Sequence, residues 1–188
     1  TYDLVLKRDL LYQLSYGRKI LRKYTLNMAK ILDGKILSLL IAENLQRKIT
    51  KLKTKPKLVI IQVGAREESN TYIRHKLKFA EKIGAITEHV KLLETVSETS
   101  LLSRIEKLNV NKSVHGIIVQ LPLPKQIDPK VISQAIVPEK SVDGSAFFIP
   151  ATTRGIVTLL NHYKIPIAGK KVVMVGRSEL VGKPTALA

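Results

Sequence analysis

Cysteine and tryptophan are both absent from the 188 residues. Without cysteine the chain forms no disulfide and offers no thiolate to a metal, a composition that fits a reducing compartment with the cytoplasm as the default. No apolar run reaches the roughly 20 residues of a membrane-spanning helix, and no segment resembles a secretory signal. We therefore expect a soluble cytoplasmic protein with no metal site and no membrane partner.

Acidic residues are scarce, with 15 Asp and Glu against 32 Lys and Arg and a formal net charge of +17. Such a surplus is compatible with nucleic acid, an anionic membrane or a polyanionic small molecule. The basic residues are spread along the chain, however, and neither zinc-finger spacing nor an aromatic RNA-binding motif occurs. We predict no specific nucleic-acid partner, since a lysine-rich compositional bias also explains the charge.

The basic residues are dense over residues 1–27, where only two acidic residues occur, Asp3 and Asp9. This stretch is compatible with an organellar targeting segment, an upstream extension or an amphipathic helix. We expect the functional body to begin near Met28.

Beyond this stretch, apolar residues at helical spacing alternate with short β-branched runs. Helices are predicted at 33–54, 68–85, 97–109, 128–136 and 152–163, and buried strands at 57–64, 115–124 and 170–176. Caps are assigned to Asp33, to Ser69 or Asn70, to Asp128 before Pro129, and to Gly84 as a C-terminal stop. The alternation predicts an α/β fold with a mainly parallel sheet.

Lys76 stands on an apolar side of the second predicted helix, on one stripe with Tyr72 and Phe79. Spacing allows two interpretations. The lysine lays its methylenes on the core and extends its amine to water, or it is partly desolvated and exchanges protons near neutral pH, with Tyr72 beside it.

Polar residues also follow the predicted strands, where open parallel sheets bind ligands. Gln120 ends the second strand and precedes Leu121 and Pro122, and Asp143 precedes a glycine in a turn. Ligand contact and simple loop or turn formation are both compatible with these residues.

The stretch "VVMVGRSELVGKP" leads from the third predicted strand into a glycine-rich turn that holds Gly176, Arg177 and Ser178. It is not the G-x-G-x-x-G of a dinucleotide fold. A turn that opens a helix still offers backbone N–H groups to phosphate, so phosphate binding and a plain turn both remain open.

Six blocks occur in one order: "MAKILDGK", "SNTYIRHKLKFAEKIGA", "HGIIVQLPLP", "VDG", "TTRGIVTLL" and "GRSELVGKP". From about Met28 onward the chain resembles the bifunctional methylenetetrahydrofolate dehydrogenase/methenyltetrahydrofolate cyclohydrolase family. The resemblance implies oxidation of 5,10-methylenetetrahydrofolate with NADP and hydrolysis of the methenyl product to 10-formyltetrahydrofolate. It also implies a homodimer, and the basic charge suggests that polyglutamylated folates bind.

The resemblance also implies roles for single residues. Lys76 matches the lysine that moves protons, Tyr72 the tyrosine that packs on the folate, and Gln120 the glutamine that orients the lysine. Asp143 matches the carboxylate that holds the amino end of the pterin.

Further matches concern the two ligands. Leu121 and Pro122 belong to the substrate-binding loop. Gly176, Arg177 and Ser178 match the cofactor loop, with Arg177 the partner of the 2′-phosphate.

The implied organisation is an α/β folate-binding catalytic domain at 28–148, then the beginning of a Rossmann-like NADP-binding domain at 149–188. Only thirteen residues follow Val175, whereas one βαβ unit takes about thirty. We therefore expect this domain to be incomplete here, which leaves an inactive folate-binding remnant as an alternative. The chain departs from the family pattern at Ser141, usually Asp, and after "VDG", where a longer segment is usual.

Overall fold

The computed structural model describes residues 30–143, 149–178 and 181–188. Residues 33–188 form one compact unit. The predicted basic extension at 1–27 lies outside the described residues. No helix in the described ranges is long and apolar enough to cross a bilayer.

Three parallel strands form the sheet, in the order β2-β1-β3, which confirms the predicted α/β class. The central strand β1 has hydrogen-bonded neighbours on both sides, which explains its β-branched, buried sequence. The strands are β1 (Lys57–Val63), β2 (Ile86–Leu92) and β3 (Gly116–Gln120). The helices are α1 (Gly34–Thr50), α2 (Glu67–Ile83), α3 (Glu98–Val110), α4 (Pro129–Ala135), α5 (Ala151–His162) and α6 (Gly182–Leu187), with a 3₁₀ turn at Pro138–Lys140.

Three of the four predicted helix caps are confirmed. The carboxylate of Asp33 accepts from the backbone N–H groups of Lys35 and Ile36, and Asp128 caps α4. Gly84 ends α2 in the left-handed region, at φ 79°. The predicted extension of the first helix to Thr54 was wrong, because the chain turns at Lys51 and leaves the helix.

The predicted cap of α2 at Ser69 or Asn70 was also wrong. The helix begins two residues earlier, at Glu67, with Arg66 in extended conformation before it. The side chains of Ser69 and Asn70 are instead hydrogen-bonded to partners on the sheet side. Capping chemistry and long-range polar contacts use the same residue types, so sequence alone did not separate them.

Strand β2 was not predicted. Its sequence ITEHVKL alternates apolar and polar residues, and as an edge strand it remains half exposed. The predicted strand at 170–176 was wrong: the backbone there has no regular structure, and Val172, Val173 and Val175 are exposed. None of the described segments supplies the neighbouring strand that this run would need.

The core occupies both faces of the sheet. On one face, Val59, Ile61 and Val63 pack with residues of α3 and α4. On the other, the alternate residues Ile60 and Gln62 are also buried, α2 contacts Gln62 through Asn70, and α1 packs against α2. Helix α2 lies on this second face and brings Lys76 to the carboxyl end of β3.

Candidate active site

A tight turn places α2 over the sheet. Strand β1 ends at Val63, and Gly64 follows with φ 76°, a conformation that side-chain-bearing residues rarely adopt. The helix begins three residues later, at Glu67. Because the turn is so short, the first turns of α2 lie beside the carboxyl edge of the sheet, where parallel α/β folds bind ligands.

Lys76 and Gln120 meet at this edge. The Nζ atom of Lys76 donates a hydrogen bond of 2.9 Å to Oε1 of Gln120, the last residue of β3. Both side chains are half-buried. Of the two interpretations of Lys76, the geometry favours a directed amine over one that simply extends into water.

Gln120 is itself held in place. Its Nε2 atom donates to the carbonyl oxygen of Leu121 at 2.8 Å, so its Oε1 atom points at Lys76. The buried hydroxyl of Ser69 donates to the same carbonyl at 3.4 Å. Helix α2 therefore contacts the end of β3 at two points, through Ser69 and through Lys76.

Ser69 was read as a cap from the sequence, and its place in the site was missed. The available signal was spacing: Ser69 and Lys76 are seven residues apart, about two helical turns, and so share one face of α2.

Aromatic side chains border Lys76 without enclosing it. Tyr72, one turn before the lysine, is 65% exposed, and Phe79 is 37% exposed. The buried residues of the helix are Ser69, Ile73 and Ala80. The predicted apolar stripe of Tyr72, Lys76 and Phe79 thus forms the margin of the buried face, and the Tyr72 ring is available to a planar ligand.

Asp143 lies towards the same edge. Ser141 pairs with Ile117 in a parallel bridge, so the segment runs alongside β3 towards the end that carries Gln120. Asp143 is exposed, and no hydrogen bond or ion pair joins it to Lys76 or Gln120 in the described part of the chain. Pro122, joined to Leu121 by a cis peptide bond, is exposed on the loop after Gln120.

The predicted cofactor residues form a closely folded turn. Gly176 has φ 130°, and a Cβ atom built on Gly182 would clash with the Gly176 carbonyl oxygen, so this approach requires glycine at 182. The Ser178 hydroxyl accepts hydrogen bonds from the N–H groups of Val181 and Gly182. Arg177 is exposed on this turn.

This turn can hold a phosphate-bearing cofactor through a side chain rather than through its backbone N–H groups. The N–H groups of Val181 and Gly182 are already paired with Ser178, so they are not the principal donors. The exposed guanidinium of Arg177 is the group that can hold a phosphate. Within residues 30–143, 149–178 and 181–188 no group of His, Asp and Glu could hold a metal ion.

Comparison with known families decides what these features belong to. The tetrahydrofolate dehydrogenase/cyclohydrolase catalytic-domain model matches residues 32–143, and the NAD(P)-binding-domain model of the same family matches residues 150–188. The chain belongs to the tetrahydrofolate dehydrogenase/cyclohydrolase family. The resemblance inferred from the sequence is confirmed.

Individual relatives agree. The bifunctional protein FolD of Ligilactobacillus salivarius is 42% identical over 174 residues, covering 85% of this chain and 61% of that protein. The crystal structure of the bifunctional FolD enzyme of Campylobacter jejuni superposes with a TM-score of 0.81 at 38% identity, covering 84% of this chain and 61% of that one. A Trypanosoma brucei methylenetetrahydrofolate dehydrogenase-cyclohydrolase, solved with NADP and an inhibitor, gives a TM-score of 0.79 at 30% identity, covering 84% of this chain and 60% of that one. The chain therefore spans about three fifths of the length of these relatives.

Proposed function

We propose that this protein oxidises 5,10-methylenetetrahydrofolate to the 5,10-methenyl cation with NADP, and hydrolyses that cation to 10-formyltetrahydrofolate. The observation that carries the proposal is the 2.9 Å contact between Lys76 Nζ and Gln120 Oε1 at the carboxyl edge of the sheet. A half-buried amine held by a neutral amide, on a protein of this family, is suited to proton transfer.

In the hydrolytic step, water adds to the carbon between N5 and N10, and one water proton passes to the amine of Lys76. The bond from that carbon to N5 then breaks, the lysine returns a proton to N5, and the hydroxyl loses its proton to give the formyl group. One proton is released overall. Gln120 keeps the Lys76 amine directed at this position throughout.

The remaining site residues bind and orient. The exposed ring of Tyr72 stacks on the planar part of the folate, and Leu121 and Pro122 border the same position. Asp143 is the carboxylate for the amino end of the pterin.

In the oxidative step NADP supplies the hydride acceptor. Arg177 pairs with the 2′-phosphate, while Gly176 and Ser178 shape the turn around it. We further propose two domains, 28–148 for folate and 149–188 for the start of cofactor binding.

Finer features of the proposal rest on the resemblance and the charge. We propose a cytoplasmic homodimer that accepts polyglutamylated folates and binds neither membranes nor specific nucleic acid. Sedimentation gives the oligomeric state. Retention on duplex DNA at low salt that vanishes with added salt would instead favour the nucleic-acid alternative.

The activity is tested on the purified protein in two assays. Loss of 5,10-methenyltetrahydrofolate is followed without NADP, and NADPH formation is followed with 5,10-methylenetetrahydrofolate. We expect hydrolysis faster than the buffer rate and NADP-dependent oxidation. Folate binding with neither reaction would overturn the proposal in favour of an inactive folate-binding remnant.

A further inference from the structure

A second polar chain crosses the sheet face that carries α2. The Nε2 atom of His89 on β2 contacts Oε1 of Gln62 on β1 at 2.8 Å, and Nε2 of Gln62 donates to Oδ1 of Asn70 on α2 at 2.8 Å. Gln62 is only 1% exposed, so both ends of its amide are paired within the protein. We call these three residues the Asn70–Gln62–His89 chain.

The Asn70–Gln62–His89 chain is next to the proposed site. In the register of the sheet Gln62 lies opposite Gln120, so the two amides are neighbours on one face. Asn70 also donates from Nδ2 to the Glu67 carboxylate at 3.3 Å. Together with the Ser69 contact to Leu121, the first turn of α2 is attached directly to β1 and to the residue after β3, and through Gln62 to His89 on β2.

The position of Gln62 does not require an amide for packing. Its neighbours on the same face, Ile60 and Ile118, are apolar and buried, and an apolar side chain at 62 would avoid the desolvation of a polar group. Burial of apolar surface is non-directional, whereas hydrogen bonds fix distance and angle. The hydrogen bonds of the Gln62 amide therefore fix the relative positions of their partners in a way that apolar packing would not.

The tautomer of His89 follows from the same geometry. Because Oε1 of Gln62 can only accept, Nε2 of His89 carries the proton. Burial, with a smaller effect of Lys91, lowers the pKa of His89. Since Nε2 donates in both the neutral and the protonated ring, the contact with Gln62 does not depend on that titration.

We propose that Gln62 is a positioning residue that fixes the height and rotation of α2, through Asn70 and against His89, so that the Lys76 amine reaches Gln120. The effect on rate rests on the proposed function, whereas the effect on the Lys76 amine does not. Loss of the amide should loosen the first turn of α2 and release Lys76 towards solvent.

The test compares Gln62→Met with the wild-type protein. Methionine keeps the length and approximate volume of glutamine and removes both hydrogen bonds. Two readouts are measured: the kcat and KM of methenyltetrahydrofolate hydrolysis, and the acetylation rate of Lys76 relative to exposed Lys78, by mass spectrometry. We expect kcat to fall by about ten- to a hundredfold with KM little changed, as for a displaced catalytic group, and relative acetylation of Lys76 to rise severalfold.

Two further variants separate positioning from stability. Asn109→Leu is the matched control, since it also removes two hydrogen bonds of a side-chain amide, but to Ala135 and Val137 beside α4. It should lower thermal stability and leave kcat and Lys76 reactivity unchanged. The double variant Asn70→Asp with Glu67→Gln keeps an acceptor for Gln62 without bringing two carboxylates together, and should retain most of the wild-type kcat.

The outcomes are distinct. If Gln62→Met behaves like Asn109→Leu, losing stability while kcat and Lys76 acetylation stay at wild-type values, the positioning role is wrong. If the wild-type protein has no hydrolase activity but Lys76 acetylation rises in Gln62→Met, the positioning role stands and the proposed function fails. Should Gln62→Met not fold, Asn70→Leu removes the helix-side contact to Gln62, together with the Asn70 contacts to Glu67 and Ala65, and leaves the contact between Gln62 and His89. It is judged by the same two readouts.

Discussion

Two short stretches of this chain look alike in sequence and differ in structure. KLVIIQV at 57–63 is the central strand of the sheet, with Val59 and Ile61 at 0% exposure. KKVVMVG at 170–176 forms no strand, and its valines 172, 173 and 175 are 69%, 71% and 69% exposed. Both stretches begin with lysine and are rich in β-branched residues.

The difference shows that a suitable segment forms a strand only where neighbouring strands pair with it. β1 has parallel partners on both sides and helices on both faces, whereas no described segment pairs with 170–176. Side-chain type makes a segment suitable for a sheet, and the partner strands decide whether it becomes part of one. The two proposed sites differ in the same way. Lys76 is hydrogen-bonded to Gln120 at the end of β3, whereas Arg177 lies on an exposed turn.

The largest expected effect compares the two stretches directly. Ile61→Ala should reduce the free energy of unfolding by about 2–5 kcal/mol, because it leaves a cavity in a packed core. Val173→Ala should change it by less than about 0.5 kcal/mol, because the side chain is exposed. Urea unfolding of both variants measures this. Equal losses would show that 170–176 is packed in solution, and the comparison would fail.

An intermediate effect is expected on the KM for NADP when Arg177 is replaced. Arg177→Ala should raise the KM for NADP by roughly tenfold to a hundredfold, the loss of a charged hydrogen bond, and should leave the KM for NAD nearly unchanged because NAD lacks the 2′-phosphate. Steady-state kinetics with both cofactors measures the ratio. Lys171→Ala, a nearby exposed charge, is the control. Equal changes for NADP and NAD would show that Arg177 does not contact the 2′-phosphate.

The smallest expected effect is on the pH dependence of stability, through His89 on β2. Burial and Lys91 lower the folded-state pKa of His89 below the usual 6.5, so the unfolded chain binds the proton more readily. The stability linked to His89 is therefore complete above pH 6.5 and is lost as the pH falls through the lower folded-state pKa. His89→Gln should lose less stability between pH 7.5 and 5.5 than the wild-type protein. An identical pH dependence of the urea midpoint would contradict this.

Local signals in the sequence predicted most of the fold. The Asp33 and Asp128 caps, the Gly84 stop and the buried run of β1 depend on short-range chemistry and lie where they were predicted. Strand β3 lies within the predicted 115–124 but ends at Gln120, because the chain leaves the sheet at the prolines that follow. β2 was missed because an edge strand keeps polar residues on its exposed side, which weakens its hydrophobic pattern.

The candidate site was predictable only in part. The helical stripe and the strand end drew attention to Lys76 and Gln120, and the structure brings these two residues together. Spacing along the chain could not show that Ser69 reaches Leu121 or that Asn70 reaches Gln62, because these contacts depend on how α2 is placed over the sheet. Capping preference pointed to a local role for both residues instead.

The most direct test of the account is the rate of methenyltetrahydrofolate hydrolysis by Lys76→Met, with folate affinity measured on the same sample. Methionine keeps the bulk of the stem and the helix propensity but cannot exchange a proton. The account predicts a fall in hydrolysis of roughly 10²- to 10⁴-fold, with folate binding largely retained. Hydrolysis at the wild-type rate in Lys76→Met would contradict the central claim that this amine transfers the proton.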